Sequence, residues 1–529
     1  MKLDIINNIF SFSKSKNFLI IYMVFITITF LSTLSYKNIA HPKFELVLFF
    51  IVLIIGILCI NYYFNHNSSK ELYKFAFVAI LLFGILSAFI VPISDISDEP
   101  EHLRRAEITS QGVLIPHWTG YELGIDRLYN HTEGEFSDEH NIGAGFESIS
   151  SMYFFSQNRE KTVFDTGHDQ DKINYSSTIM ESVFEQNPFY GYLPQAVGVL
   201  VAKLLDMNVI WMLWLGRICN LICYAGLVSY AIKKVNCLKI PLLAVACIPI
   251  TIYQAASISI DSLIFGLGIL LVAYFINLCT SKDNSIQEKQ IITFSILCLL
   301  LGLCKLPYLA FVFLLLFVPK EKYNNKNMVF VIFSCIFLVA LIGVLYSSYS
   351  TPTLMHSWRS MYNYVNSTQQ LNFLLTNHFF ILDFLHQIFT SELSFLANGL
   401  FNFYNGTLGI HYKDHYYLIT MVLQAFLTII LFTYPENVKF NFKTRFGALF
   451  VVLLIYIGTC FVQLLTWAYV GKINLGMSIR YFIPLMAMLP VIFKINYKYD
   501  DIQKFNDYSI IFIIGFLATL ILAFATKYY

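Results

Sequence analysis

Residues 94–116, "SDISDEPEHLRRAEITSQGVLIP", follow directly on the apolar run 75–93, "FAFVAILLFGILSAFIVPI". Asp95, Asp98, Glu99 and Glu101 therefore emerge together at the end of a lipid-soluble segment. Carboxylates crowded at a bilayer edge repel one another, and the low dielectric there makes each charge expensive. Such a cluster either caps a helix or forms a reaction centre.

The surrounding chain is that of a polytopic membrane protein. Its 529 residues are 57% hydrophobic and only 13% charged, about half the charge of an ordinary soluble protein. A formal net charge of +2 provides no field to recruit nucleic acid or an acidic partner. The Lys-bearing start runs into a full-length apolar helix without a small-residue cleavage site, as an uncleaved first span does. The ten cysteines show neither a disulfide framework nor the paired spacing of a zinc site.

A spanning helix needs roughly 20 mostly apolar residues. The expected fold is an all-α bundle of about thirteen such helices, near 17–35, 45–65, 74–93, 208–232, 239–256, 261–280, 290–304, 306–319, 327–349, 415–433, 446–468, 480–497 and 507–526. The segment 189–207 is apolar but short and contains Pro194 and Lys203, so it is read as half-embedded. With the amino terminus inside, the short loops bearing Lys233, Lys234, Lys239, Lys282, Lys289, Lys320, Lys322, Lys439, Lys443 and Arg445 then fall on the cytoplasmic side. The organisation divides into three amino-terminal helices (1–93), a first outer loop with the acidic motif (94–188), a central bundle (189–349), a second outer loop (350–414) and carboxy-terminal helices (415–529). Within the second loop, 371–389 has helical periodicity and suits the membrane surface.

Four constellations carry candidate chemistry, each with a plainer alternative. Asp98 and Glu101 have capping-box spacing, Pro100 suits a first helical turn, and the helix would run to about Ser110 and stop at Gly112. Glu99 is not needed for capping, and two adjacent carboxylates in a cleft can yield a general base. Asp261, in "IYQAASISIDSLIFG" (252–266), either caps a helix or faces the same site. Lys305, in "LCKLPYLAF" (303–311), either snorkels to the interface or binds a phosphate. Arg480, in "GKINLGMSIRYFIP" (471–484), is either a topological anchor or a bidentate phosphate ligand. Arg217, in "WLGRICN" (214–220), lies inside an apolar span and calls for a partner. Among ten histidines in or near the outer loops, His102 adjoins the acidic motif, and no pair has the spacing of a zinc site.

These segments resemble a domain-of-unknown-function family of bacterial polytopic membrane proteins placed among the GT-C-fold glycosyltransferases. "SDEPEHLRRAEITSQGVLIP" resembles its D-E-P-x-H-x-x-R-A opening, and "YQAASISIDSL" its Q-A-A-S-x-S-x-D segment. "NPFYGYLPQAVGVLVAKLL", "LGRICNLI", "LCKLPYLAF" and "SIRYFIPL" resemble its P-x-Y-Y-L-P, G-R-x-x-N, K-x-P-Y and G-R-Y-F-x-P segments. Two helices precede the acidic span where many relatives of the fold have none, and Ser478-Ile479 stand where the family tends to have Gln-Gly. The resemblance implies a GT-C-like bundle, a polyprenyl-phosphate-linked or -diphosphate-linked sugar donor, and Asp98 and Glu99 as the catalytic acidic pair. The expected activity is sugar transfer to an envelope glycan, lipid or protein on the outer face of a bacterial cytoplasmic membrane. Arg480, Lys305 and Arg217 would bind donor phosphate; Asp261, His102 and Glu101 would orient the acceptor or a divalent cation (Mg or Mn). A transporter or flippase of lipid-linked glycans, or a non-enzymatic assembly component, are the rival expectations.

Overall fold

The computed structural model describes residues 15–34, 42–65, 71–115, 129–130, 135–136, 145–148, 162, 172–173, 177–180, 184, 186–325, 327–355, 365–400, 417–493, 495, 499 and 501–529. Most of the first loop and parts of the second lie outside the described residues, with His117, His131, His140, His168, His356, His411 and His415.

The first three helices are α1 (Lys16–Leu34), α2 (Pro42–Asn65) and α3 (Leu72–Ile90). Then come α4 (Glu99–Ser110), α5 (Leu193–Leu204), α6 (Val209–Lys234), α7 (Lys239–Ala246), α8 (Pro249–Ala255), α9 (Asp261–Thr280) and α10 (Glu288–Cys304). A 3₁₀ stretch, Leu306–Phe317, leads to α11 (Met328–Met355), α12 (Ser367–Thr376), α13 (Phe380–Gln387) and α14 (Leu393–Leu400). The chain finishes with α15 (Tyr417–Phe432), α16 (Phe442–Thr466), α17 (Ile483–Met486), α18 (Leu489–Ile492) and α19 (Ile502–Tyr528). Two short antiparallel ribbons, Tyr129–Asn130 with Glu135–Phe136 and Gly145–Ser148 with Ser177–Met180, are the only strands among the described residues.

Among the described residues seven helices are long and apolar enough to cross a membrane, and the pair Ser367–Thr376 and Phe380–Leu400, bent by 113°, would make an eighth. Several stretches expected as uniform spans are built differently. The 239–256 stretch breaks at Cys247 and Ile248 into α7 and α8, with Pro249 opening α8. Pro307 follows α10 and the chain continues as 3₁₀ helix, because a proline ring has no amide to donate and clashes with the preceding turn. The 480–497 stretch is a 3₁₀ turn, Ile479–Phe482, followed by α17 and α18, each with a proline in its first turn.

Burial orders the bundle. In α19, 89% of the spanning window is buried, against 22% in α11, so α19 is the central post and α11 a peripheral helix. Helices α1, α2 and α3 pack on α19. Tyr22 of α1 donates to the Val52 carbonyl of α2 at 2.7 Å, and Thr526 of α19 donates to Glu45 of α2 at 3.2 Å. The 281–287 and 318–325 connections also meet: Asn284 N donates to Glu321 O at 2.8 Å, and Lys322 pairs with Asp283 at 2.8 Å.

Between α5 and α6 the approach is close. A Cβ on Gly198 would lie 2.2 Å from the Leu215 carbonyl oxygen, so only glycine allows this crossing, the small-residue device of membrane helix pairs. The other side of α5 exposes Leu193, Val197, Leu200 and Leu204, an apolar stripe that suits lipid. Gly198→Val should cost about 1–3 kcal/mol, read as a lower midpoint of thermal unfolding in detergent; an unchanged midpoint would show that the crossing is not this tight.

Candidate functional site

The turn between α3 and α4 is where the acidic motif is shaped. Pro92 follows the end of α3, and Asp98 adopts a left-handed conformation with φ 63°, which aspartate tolerates better than most residues. Asp98 makes no side-chain cap to α4, so the capping-box expectation is corrected. Its Oδ2 instead accepts from Arg480 Nη2 at 2.5 Å and from Ser97 Oγ at 3.3 Å. Glu101 pairs with Arg104 one turn on, at 3.4 Å, and does not line the cavity described below. As expected, α4 runs to Ser110 with Gly112 beyond it.

Glu99 and Arg217 complete one another inside the protein. Arg217 Nε donates to Glu99 Oε1 at 2.8 Å and Nη2 to Oε2 at 2.6 Å. Its remaining donors reach the carbonyls of Ala88 and Val91 at 2.8 Å and Pro92 at 3.0 Å. Those carbonyls belong to the last turn of α3 and the residues after it, where helical acceptors are otherwise unsatisfied. Glu99 Oε1 also accepts from Ile258 N at 3.1 Å. Both side chains are buried, at 1% and 0% exposure, so this bidentate pair locks the turn to α6 and to the 256–260 loop.

That loop carries Asp261 to the site. Asn220 donates to the carbonyls of Ser257 and Ser259 at 2.7 and 2.8 Å, and Gln195 donates to Ser259 O at 3.0 Å. Asp261 Oδ2 accepts from Gln254 and Ser259, each at 3.2 Å, and lies 3.3 Å from Arg480 Nε. Arg480 thus stands between Asp98 and Asp261, and its Nη1 also donates to Ser97 O at 3.1 Å. A divalent cation bridging these two aspartates would have to displace the guanidinium, so the arrangement does not fit a metal there. Among the described residues no group of three or more His, Cys, Asp or Glu side chains gathers elsewhere as a metal site.

Asp98, His102, Asp261, Lys305 and Arg480 all line one cavity of about 250 Å³. The Lys305 ammonium lies over the Tyr481 ring and, among the described residues, has no carboxylate within ion-pair distance. Tyr481 floors this cation, and its carbonyl accepts from Tyr308. Arg217 and Glu99 lie behind the cavity rather than on its wall.

His102 stacks on Phe184 with centroids 4.0 Å apart. Its Nδ1 lies 2.8 Å from the Tyr192 hydroxyl, which itself accepts from Asn187 Nδ2 at 3.0 Å. Burial lowers the His102 pKa from 6.5 to about 4, so the ring is neutral at physiological pH. Tyr192, Asn187, Gln195 and Asn220 had no assigned role from sequence. Their signal was polarity inside apolar segments: Asn220 stands three residues after Arg217, and the others fall in the "NPFYGYLPQ" stretch.

A family model described as "Predicted membrane protein (DUF2142)" matches residues 81–489. No curated protein and no solved structure matches the chain.

Two outcomes follow from the buried groups. Glu99→Gln or Arg217→Met alone should lower stability by about 3–5 kcal/mol, whereas Glu99→Met with Arg217→Met should recover much of that loss. Additive losses in detergent unfolding would contradict the pairing. For His102, the unfolded ring binds a proton near pH 6.5 and the folded one only near 4, so stability falls as pH drops through that window. His102→Gln should flatten that part of the pH–stability curve, and an unchanged slope would place the ring in water.

Proposed function

Taking as premise that the chain belongs to the family described as "Predicted membrane protein (DUF2142)", we propose that it transfers a sugar from a polyprenyl-phosphate donor to an acceptor hydroxyl at the outer face of a bacterial cytoplasmic membrane. The observation that carries the reading is Lys305, a half-buried cation with no carboxylate within ion-pair distance among the described residues, in the same cavity as Arg480 and two aspartates. Lys305 and Arg480 offer a phosphate two charged donors in one cavity, and the apolar bundle around it suits an anion attached to a lipid.

The chemistry assigns each group a role. Asp98, on the cavity wall, takes the proton of the acceptor hydroxyl. The acceptor oxygen bonds to the anomeric carbon from the face opposite the phosphate. The carbon–oxygen bond to phosphate breaks, its electron pair leaves with the phosphate, and the configuration inverts. Lys305 and Arg480 stabilise the departing charge, and the neutral His102 ring lines the same cavity. Asp261 holds the guanidinium in place. Glu99 and Arg217 act by fixing the turn that carries Asp98, so the base is assigned to Asp98 alone. The GT-C-like architecture and thirteen crossings belong to this reading, with the seven long helices supplemented by α1, the α7–α8 stretch, α10, the 3₁₀ stretch, α15 and the α17–α18 stretch. The meeting of the Lys282 and Lys320 connections, away from Lys305, supports placing the cavity on the outer side.

Membranes given radiolabelled polyprenyl-phosphate sugars should pass label into envelope polymers. Asp98→Asn should reduce the rate by about 10²–10⁴-fold while retaining donor binding. Full transfer by Asp98→Asn would remove the base, and translocation of intact labelled lipid by that variant would favour a transporter.

A further inference from the structure

His102, Arg105 and Thr109 follow one another at spacings of three and four residues, so they share one face of α4. All three are buried. Arg105 Nη1 donates to Thr109 Oγ1 at 2.6 Å and to the Val113 carbonyl at 3.4 Å. Its Nη2 donates to the Leu114 carbonyl at 3.0 Å and to the Asn187 carbonyl at 3.4 Å. The Thr109 hydroxyl in turn donates to Arg105 O at 2.8 Å, which fixes the direction in which its oxygen accepts. One planar fork thus reaches the residues that follow α4 and a residue 82 positions beyond Arg105 itself. A lysine ammonium is a compact point donor and cannot span such a set.

The far contact falls on a segment that builds the cavity, for Phe184, Gln186 and Asn187 line it. Asn187 Nδ2 donates to the Tyr192 hydroxyl, and that hydroxyl lies 2.8 Å from His102 Nδ1. The Arg105 guanidinium stands 5.5 Å from the Tyr192 ring centroid, within cation–π range. On the other side, Tyr190 donates to the Leu300 carbonyl of α10 at 2.7 Å, and Tyr346 of α11 donates to the Gln186 carbonyl. Arg105 lies behind the wall rather than on it, yet it touches the backbone and the ring that hold this part of the wall. A buried guanidinium is costly unless its donors are used, so moving Asn187 away from it is opposed.

We propose that Arg105 is a positioning residue: it staples the two ends of the first outer loop together and so seats Phe184, Asn187 and His102 on the cavity wall. Its effect on turnover rests on the sugar-transfer reading, whereas the staple does not. Arg105 acts through placement of an aromatic ring, an amide and an imidazole. Holding the donor phosphate falls to Lys305 and Arg480, so donor affinity and turnover respond differently to its loss.

Hydrogen exchange on the purified full-length protein in detergent reads the staple. In Arg105→Lys, the amides of Val113, Asn187 and Tyr192, which bond to the carbonyls of Ile108, Phe184 and Phe189, should exchange about tenfold faster. The Ile258 amide, bonded to Glu99, should keep its rate. Thr109→Val should give a smaller increase at the same three amides and carries the test if Arg105→Lys does not fold; Thr109→Ser should give none. In membranes supplied with labelled donor, Arg105→Lys should lower the maximal transfer rate by about 10²-fold, with the donor KM within about twofold of the unsubstituted protein. Unchanged exchange at the three amides, or an equal rise at Ile258, would overturn the staple. Faster local exchange with full transfer would overturn the role in turnover and leave the sugar-transfer reading standing. Absence of transfer by the unsubstituted protein would overturn that reading and the role in turnover together, with the exchange pattern still deciding the staple.

Discussion

The Glu99–Arg217 pair is the constraint on which the site depends. A carboxylate and a guanidinium removed from water are costly unless each is fully hydrogen-bonded, and here the guanidinium spends its donors on Glu99 and on three carbonyls at the end of α3. The pair therefore fixes the direction in which the chain leaves α3. It also fixes the 256–260 loop through Ile258. Asp98, next in sequence to Glu99, is turned toward Arg480 as a consequence, and Asp261 is brought to the other side of the same guanidinium.

Charge distribution follows from that geometry. Arg480 is matched by two carboxylates, whereas Lys305 rests on an aromatic face. The cavity can thus hold its own acidic groups close together without a metal between them and still present a cation to a ligand. The 3₁₀ stretch after Lys305 is part of this arrangement: Pro307 ends the α-helix where the lysine must turn inward, and Tyr308 ties the following segment to the Tyr481 backbone.

Much of the bundle was legible in the sequence because lipid-soluble helices announce themselves by length and apolarity alone. The breaks at 247–248, at Pro307 and at Pro484 and Pro490 were less legible, since hydropathy does not register backbone geometry and an apolar run can be short helices as well as a single span. At the site, adjacency singled out Asp98 and Glu99 but could not separate them. Their difference is tertiary, because the partner of Glu99 lies 118 residues away and only the folded chain shows its carboxylate consumed. Capping was a reasonable reading of Asp98 that its left-handed backbone and its contact with Arg480 overruled. The setting of His102 was out of reach, as it depends on Phe184 and Tyr192 in another segment.

The central claim is that segments far apart in sequence build one anion-accepting cavity at one end of the bundle. Electron cryomicroscopy of the protein with a polyprenyl monophosphate in a lipid nanodisc tests it most directly. The account places the phosphate between the Lys305 ammonium and the Arg480 guanidinium, with the prenyl chain leaving toward lipid. Phosphate density at the opposite end of the bundle, or on the protein's outer surface away from Lys305, would contradict it.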